Sequence, residues 1–371
     1  MPGKILNYYA GGNTARGFHN LFSSNLQGLE RIFILKGGPG TGKSTLMKEL
    51  GNRWADLGYD LEYIHCGSDN GSIDGLIIPA LQVGIVDGTA PHVIEPEVPG
   101  AIEDYVNLGE AWDHGKLSQS TADIRRISAN IRDCYQQAYE TFAIALQVHD
   151  EWEKPYIENL DFTKANQLTD ELIDSLFADR KGTGEGLAKH RFLGAATPKG
   201  PVDFIQNLTA DLPHRFFLKG RPGSGKSTLL KKLANHAEHN GFDVEVYHCG
   251  FDPNSLDMVI VRELGWAIFD STAPHEHFPE RNGDQVIDMY ERIIKPGTDE
   301  AYAEELSDIS RRYKEKMNAA TSHLAQAKAL HDELEAIYIG SMNYAVVDDL
   351  RERIHEQIVL RANARQLVQE G

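Results

Sequence analysis

One eight-residue pattern occurs twice in this chain and limits what it can fold into. Gly37-Gly38-Pro39-Gly40-Thr41-Gly42-Lys43-Ser44 returns 183 positions later as Gly220-Arg221-Pro222-Gly223-Ser224-Gly225-Lys226-Ser227. Both copies fit G-x-x-x-x-G-K-[ST], the pattern of a loop that cradles phosphate. Each follows a short apolar run suited to a buried strand, Ile32-Phe33-Ile34-Leu35 and Phe216-Phe217-Leu218. Each precedes a helix-compatible run, Thr45 to Leu50 and Thr228 to Leu233. Strand, loop and helix in that order is the setting the motif requires.

The residue types follow from the chemistry of holding phosphate. Glycine backbone curls closely around an anion at φ values that a side chain forbids. The loop N–H groups then converge on the phosphate oxygens at a helix N-terminus. On this reading Gly37, Gly38, Gly40, Thr41, Gly42 and Thr45 belong to the first cradle, and Gly220, Arg221, Gly223, Ser224, Gly225 and Thr228 to the second. Lys43 and Lys226 reach the β- and γ-phosphates, and the hydroxyls of Ser44 and Ser227 bind Mg²⁺. With two such loops, the chain resembles the P-loop NTPase superfamily.

The duplication extends past the loops and sets the expected architecture. Lys36 to Leu46 matches Lys219 to Leu229 at nine of eleven positions. Between residues 65 and 97, 16 of 33 positions equal their partners 183 residues on. Each copy opens with a short strand and turn, Tyr8 to Gly17 and Arg191 to Gly200. A helix-like segment follows (Phe18 to Leu29; Val202 to Leu208), then the loop, then an alternating strand, Leu61 to His65 or Val244 to His248. A third strand, Val83 to Val86 or Trp266 to Phe269, ends in Asp87 or Asp270. Strands alternating with helices argue for parallel, three-layered α/β/α cores.

The back half of each copy reads as helix. Ile131, Tyr135, Ala138, Phe142, Ala145, His149, Trp152 and Tyr156 keep 4-3 spacing, as do Tyr313, Met317, Ala320, Leu324, Ala327, His331, Leu334 and Tyr338. That is the heptad of a helix packed along a seam. A shorter helix follows each (Asn166 to Phe177; Val346 to Leu367) and is expected to fold back as a hairpin arm. His149 and His331 invite a metal reading, against the plainer one of packed, hydrogen-bonded seam residues. The expected division is therefore a core over 1–100, an arm over 101–180, a linker over 181–189, a second core over 190–283 and a second arm over 284–371.

Composition bounds the compartment and partners. No apolar run approaches the ~20 residues of a membrane span, and three cysteines are too few for a disulfide framework, so a reducing cytoplasm is expected. A formal net charge of −18 argues against non-specific nucleic-acid binding.

Asp87 and Asp270 each close an apolar strand, where the superfamily's Walker B carboxylate holds Mg²⁺; an ordinary strand-end turn is the alternative. Gly88 and Ser271 follow them, so the adjacent catalytic glutamate used by many such ATPases is absent. Candidates to orient the attacking water are Asp69 and Asp252, then His92 and His275. For Asp69-x-x-Ser72 and Asp252-x-x-Ser255 the alternative is turn capping. His65, Cys66 and Asp74, with partners His248, Cys249 and Asp257, share the same strand ends; a zinc centre lacks its paired spacing, so Cys66 and Cys249 read as small packed residues. Arg16, Lys199 and Arg221 are arginine-finger-like candidates or plain surface cations.

The order of elements is loosely similar to RecA/KaiC-type ATPases over about 95 residues of each copy. The chain has no Asn-Lys-x-Asp run, which favours ATP over GTP, and no Leu-Ser-Gly-Gly-Gln run, which argues against the ABC class. Three functions fit. The first is a Mg²⁺-dependent ATP hydrolase that moves the helical arms, with the arms open to a protein partner. The second is a small-molecule or nucleotide kinase using Arg125-Arg126 and Arg311-Arg312 as clamps. The third is a nucleotide-gated scaffold.

Overall fold

The computed structural model describes residues 1–369. The first copy runs β1 (Ile5–Tyr8), β2 (Gly11–Thr14), β3 (Gly17–Asn20), α1 (Phe22–Leu26), β4 (Arg31–Lys36), α2 (Lys43–Asp56), β5 (Leu61–His65), β6 (Ile73–Ile78), β7 (Val83–Asp87) and β8 (Glu103–Asn107). It continues through α3 (His114–Gln119), α4 (Thr121–Glu158) and α5 (Phe162–Phe177). The second copy repeats this with β9 (Ala188–Phe192), β10 (Gly194–Thr197), β11 (Gly200–Asp203), α6 (Ile205–Leu208), β12 (His214–Lys219), α7 (Lys226–His239), β13 (Val244–His248), β14 (Leu256–Val261), β15 (Trp266–Asp270) and β16 (Asp284–Asp288). The helices α8 (Met289–Ile293), α9 (Thr298–Ala301), α10 (Ala303–Ile339) and α11 (Tyr344–Gln369) end it.

Two six-stranded sheets result, ordered β1-β5-β6-β7-β4-β8 and β16-β12-β15-β14-β13-β9. Read in opposite directions these are one topology. The sheets are mixed, which corrects the expected parallel ones: β6 and β14 run antiparallel to both neighbours. The cause is loop length. Residues 66–72 are all that join β5 to β6, too few for the dozen or more that a parallel crossover needs. Both strands are buried along their whole length, and each carries one charged residue, Asp74 or Asp257. The expected helices at Phe18–Leu29 and Val202–Leu208 are also shorter. Gly17–Asn20 and Gly200–Asp203 instead pair as hairpin strands with β2 and β10.

The chain divides into two compact units. One holds Met1–Gly11, Phe22–Gln136 and His323–Gly371, and the other Gly12–Leu21 and Gln137–Ser322. This departs from the expected boundaries, which kept each arm with the core before it. The helix α5 buries Leu168, Leu172, Leu176 and Phe177 in the same core as Leu229, Leu230 and Leu233 of the second copy. Conversely, α11 buries Val347, Leu350, Ile354 and Ile358 with Leu46, Leu50 and Trp54 of the first. The short helices thus complete sheet cores rather than forming return legs of free arms. Apolar residues four apart place one stripe on each helix, and each fully buried Leu or Ile contributes roughly 1.5–3 kcal/mol.

The seam residues Ala138, Phe142, Ala145 and Tyr156 on α4, and Ala320, Leu324, Ala327 and Leu334 on α10, are buried. Among the described residues, no helix is long and apolar enough to cross a membrane.

Candidate functional site

In the first unit, β4 and β7 run in parallel with Leu35 opposite Asp87, so the Gly37–Ser44 loop leaves its strand beside that carboxylate. Gly40 and Gly42 take φ values of 66° and 86°, the left-handed region where glycine carries no penalty. Lys43 opens α2 and curls back. Its Nζ donates to the carbonyls of Gly37 (2.8 Å) and Gly38 (2.9 Å) and lies 3.6 Å from Asp87 Oδ2. The Ser44 hydroxyl accepts the Ile73 N–H at 3.0 Å. Asp87 Oδ1 accepts the N–H (2.8 Å) and the hydroxyl (2.6 Å) of Thr89.

The register of β6 against β7, with Gly75 opposite Val86, sets Asp74 across the ladder from Asp87. Asp74, Asp87 and His92 offer atoms that all lie within 4.8 Å of one another. Asp74 and His92 are buried, and His92 Nε2 is 3.0 Å from Asp74 Oδ2. Burial alone would lower the His92 pKa. The charge and hydrogen bond of Asp74, helped by Asp87, outweigh it and leave the imidazole above its ordinary value.

The second unit repeats the frame. Lys226 Nζ donates to the Arg221 carbonyl (3.1 Å) and lies 3.5 Å from Asp270. Ser227 accepts the Leu256 N–H at 2.9 Å, and Asp270 accepts from Thr272. One pairing changes. His275 Nδ1 turns to Asp203 at 3.2 Å, and His277 Nε2 meets the same carboxylate at 3.1 Å. Asp203 replaces the Asn20 of the first copy. Asp257 then keeps a buried Oδ2 that has no hydrogen-bond partner among the described residues. Burial, with the Asp270 charge adding, pushes its carboxyl up to about 6, and the Cys249 thiol hydrogen-bonds it.

The remaining sequence candidates have other partners. Asp69 accepts from Gly71 N–H (2.8 Å) and the Ser72 hydroxyl (3.0 Å) and pairs with Lys328 at 3.4 Å. Asp252 accepts from Asn254 N–H (3.2 Å) and Arg16 Nε (2.7 Å). Both therefore make the turn contacts of the capping alternative. Arg221 binds Asp299 and lies over the Tyr290 ring. Thr45 and Thr228 sit in the first turns of α2 and α7. His149 packs on Phe251 and Tyr313, and it also offers an atom within 4.8 Å of those of Asp150 and Glu153, as His331 does with Asp332 and Glu335. Arg126, Arg311 and Arg312 pair with carboxylates: Asp123 for the first, Asp308 and Glu315 for the second, Asp308 and Glu151 for the third. The three cysteines are free thiols.

The structure also brings in residues that motif reading passed over. A Cβ on Gly40 would stand 2.9 Å from the Glu335 carbonyl, and one on Gly38 3.1 Å from the Tyr338 ring. Tyr344 donates to the Gly40 carbonyl at 2.9 Å. On the second loop, a Cβ on Gly223 would stand 2.7 Å from the Glu153 carbonyl. The end of α10 thus lies on the first loop and that of α4 on the second. The available signal was a repeat: His149-Asp150-Glu151-Trp152-Glu153 returns as His331-Asp332-Glu333-Leu334-Glu335.

No protein-family model, curated protein or solved structure matches this chain.

Proposed function

We propose that the protein is a Mg²⁺-dependent ATP hydrolase with a nucleotide site at each glycine-rich loop. The observation that carries this reading is the repeated placement of a loop lysine beside a strand-end aspartate. Lys43 stands 3.6 Å from Asp87, and Lys226 stands 3.5 Å from Asp270. Each pair sits at the ends of adjacent parallel strands, where open α/β sheets bind ligands.

The donor set suits the group. The loop amides and lysine would take the phosphates, and the hydroxyl–carboxylate pairs Ser44/Asp87 and Ser227/Asp270 would hold Mg²⁺. When bound, Mg²⁺ neutralises charge on the phosphate oxygens. ATP is preferred to GTP because the guanine-reading run is missing from the sequence. Three of the four arm arginines weighed as kinase clamps, Arg126, Arg311 and Arg312, pair with carboxylates, which favours the hydrolase over the kinase alternative. The helix ends of α10 and α4 border the loops, so a loop that tightens on nucleotide pushes on these helices.

The test is Mg²⁺-dependent phosphate release by the wild type beside Lys43→Ala and Lys226→Ala. Loss in both variants supports two working sites acting together. Loss in one assigns turnover to that site, and release that neither substitution lowers overturns the proposal.

A further inference from the structure

We infer that Glu335 and Glu153, carried by the last turns of α10 and α4, are the water-activating carboxylates of the first and second sites. The inference rests on the nucleotide reading above and supplies what the strand ends lack, since Gly88 and Ser271 stand where a catalytic glutamate would follow the aspartate.

The geometry places both glutamates at the fourth residue of a loop. A Cβ on Gly40 would lie 2.9 Å from the Glu335 carbonyl and 3.4 Å from its Cα. A Cβ on Gly223 would lie 3.0 Å from both Cα and Cβ of Glu153. Only glycine admits the helix so closely. Each glutamate has an imidazole one turn earlier: His149 Nδ1 is 3.8 Å from Glu153 Oε1, and His331 Nδ1 is 3.9 Å from Glu335 Oε1. The Glu153 carboxyl is pushed up by burial and by Asp150 and Asp252, against the pull of the Gly223 amide and Lys226. A carboxylate whose affinity for protons is raised beside the phosphate-binding lysine suits a general base.

The internal repeat marks the same residues. Over 131–148, three of 18 positions match their partners at 313–330, all of them alanine, whereas the next five match at four. Seam packing alone does not select His-Asp-Glu-x-Glu, because it asks only for apolar residues at two positions in seven.

The step balances simply. A water oxygen forms the new bond to the terminal phosphorus while the glutamate accepts one of its protons. The bond from that phosphorus to the bridging oxygen breaks, its electron pair leaving with the nucleoside diphosphate. The glutamate then returns its proton to solvent.

The test uses the full-length protein with Glu153→Gln, Glu335→Gln and the double variant, against Lys43→Ala and Lys226→Ala. Binding of a fluorescent ATP analogue and phosphate release are both read, with thermal unfolding as the folding control. The double variant is expected to keep analogue affinity within about threefold and to lose at least ~100-fold in release, the usual share of a general base. Glu→Asp variants keep the charge and are expected to recover part of the rate. Unchanged release overturns the inference, as does faster release with tighter binding, which would make the glutamates plugs of the loops. Failure of the underlying reading looks different: the lysine variants then bind the analogue as the wild type does, or nothing binds.

Discussion

Nε2 of His92 lies 3.0 Å from Oδ2 of Asp74, while its counterpart His275 turns from Asp257 to Asp203. The duplicated sites therefore share a frame but pair their histidines with different carboxylates. In the first, imidazole and carboxylate pair with each other inside the protein. In the second, a carboxylate is buried with an oxygen unmatched. Asn20 against Asp203 and Ile94 against His277 are the sequence differences that accompany the switch.

His92→Gln should destabilise the protein in a pH-dependent way. The folded pKa of His92 is raised above 6.5. Its stabilisation is therefore fully present below pH 6.5 and is lost as pH rises through the folded value. Breaking a buried pair costs about 3 kcal/mol or more, so the gap from wild type should be widest near pH 6 and narrower at pH 9. Urea unfolding at both pH values checks this, and an equal gap refutes a titrating pair.

Asp257→Asn should stabilise the fold at alkaline pH. This carboxyl rises from 3.8 to about 6, so the stability it lends exists below pH 4 and disappears as pH climbs through 6. At pH 8 the buried charge opposes folding by up to about 3 kcal/mol, at about 1.4 kcal/mol per pKa unit. Calorimetry should show a higher Tm for the variant at pH 8 and no gain at pH 4.

Asp284→Ala should be among the most damaging single changes. Arg215 donates to both Asp284 oxygens, at 2.8 and 2.6 Å, and both side chains are almost wholly buried. Arg215 holds the carboxyl well below the usual carboxylate range. Removing the acid leaves a buried guanidinium without its counter-ion, at a cost of about 3–5 kcal/mol. A loss under ~1 kcal/mol in denaturant midpoints would show that water reaches Arg215.

Gly223→Ala should separate backbone strain from helix contact when set beside Gly200→Ala. Both positions have positive φ, 74° and 95°. Among the described residues nothing lies within 4 Å of a Cβ on Gly200, but one on Gly223 meets the Glu153 carbonyl at 2.7 Å. The Gly200 variant should lose only about 1–2 kcal/mol of left-handed strain. The Gly223 variant should lose more and shift the end of α4, visible as faster amide exchange around Glu153. Equal losses would mean that the helix yields freely.

The sequence by itself determined the duplication, the strand–loop–helix order, the loop residues and the strand-end Asp87 and Asp270. All are local patterns, legible because the neighbours that matter lie within a few residues. Four features were decided only by tertiary structure: the reversed strands β6 and β14, the pairing of Asp74 with Asp87 across the ladder, the cores that receive α5 and α11, and the glutamates at the loops. A short connection allows reversal, but Ile73–Ile78 is apolar enough to read as any buried segment. The stripe Leu168, Leu172, Leu176 likewise demands burial without saying against what. Both sheet cores offer leucine-rich faces built from the same repeated unit. Hydrophobic burial is non-directional, so which face accepts which helix is settled only when the whole chain packs.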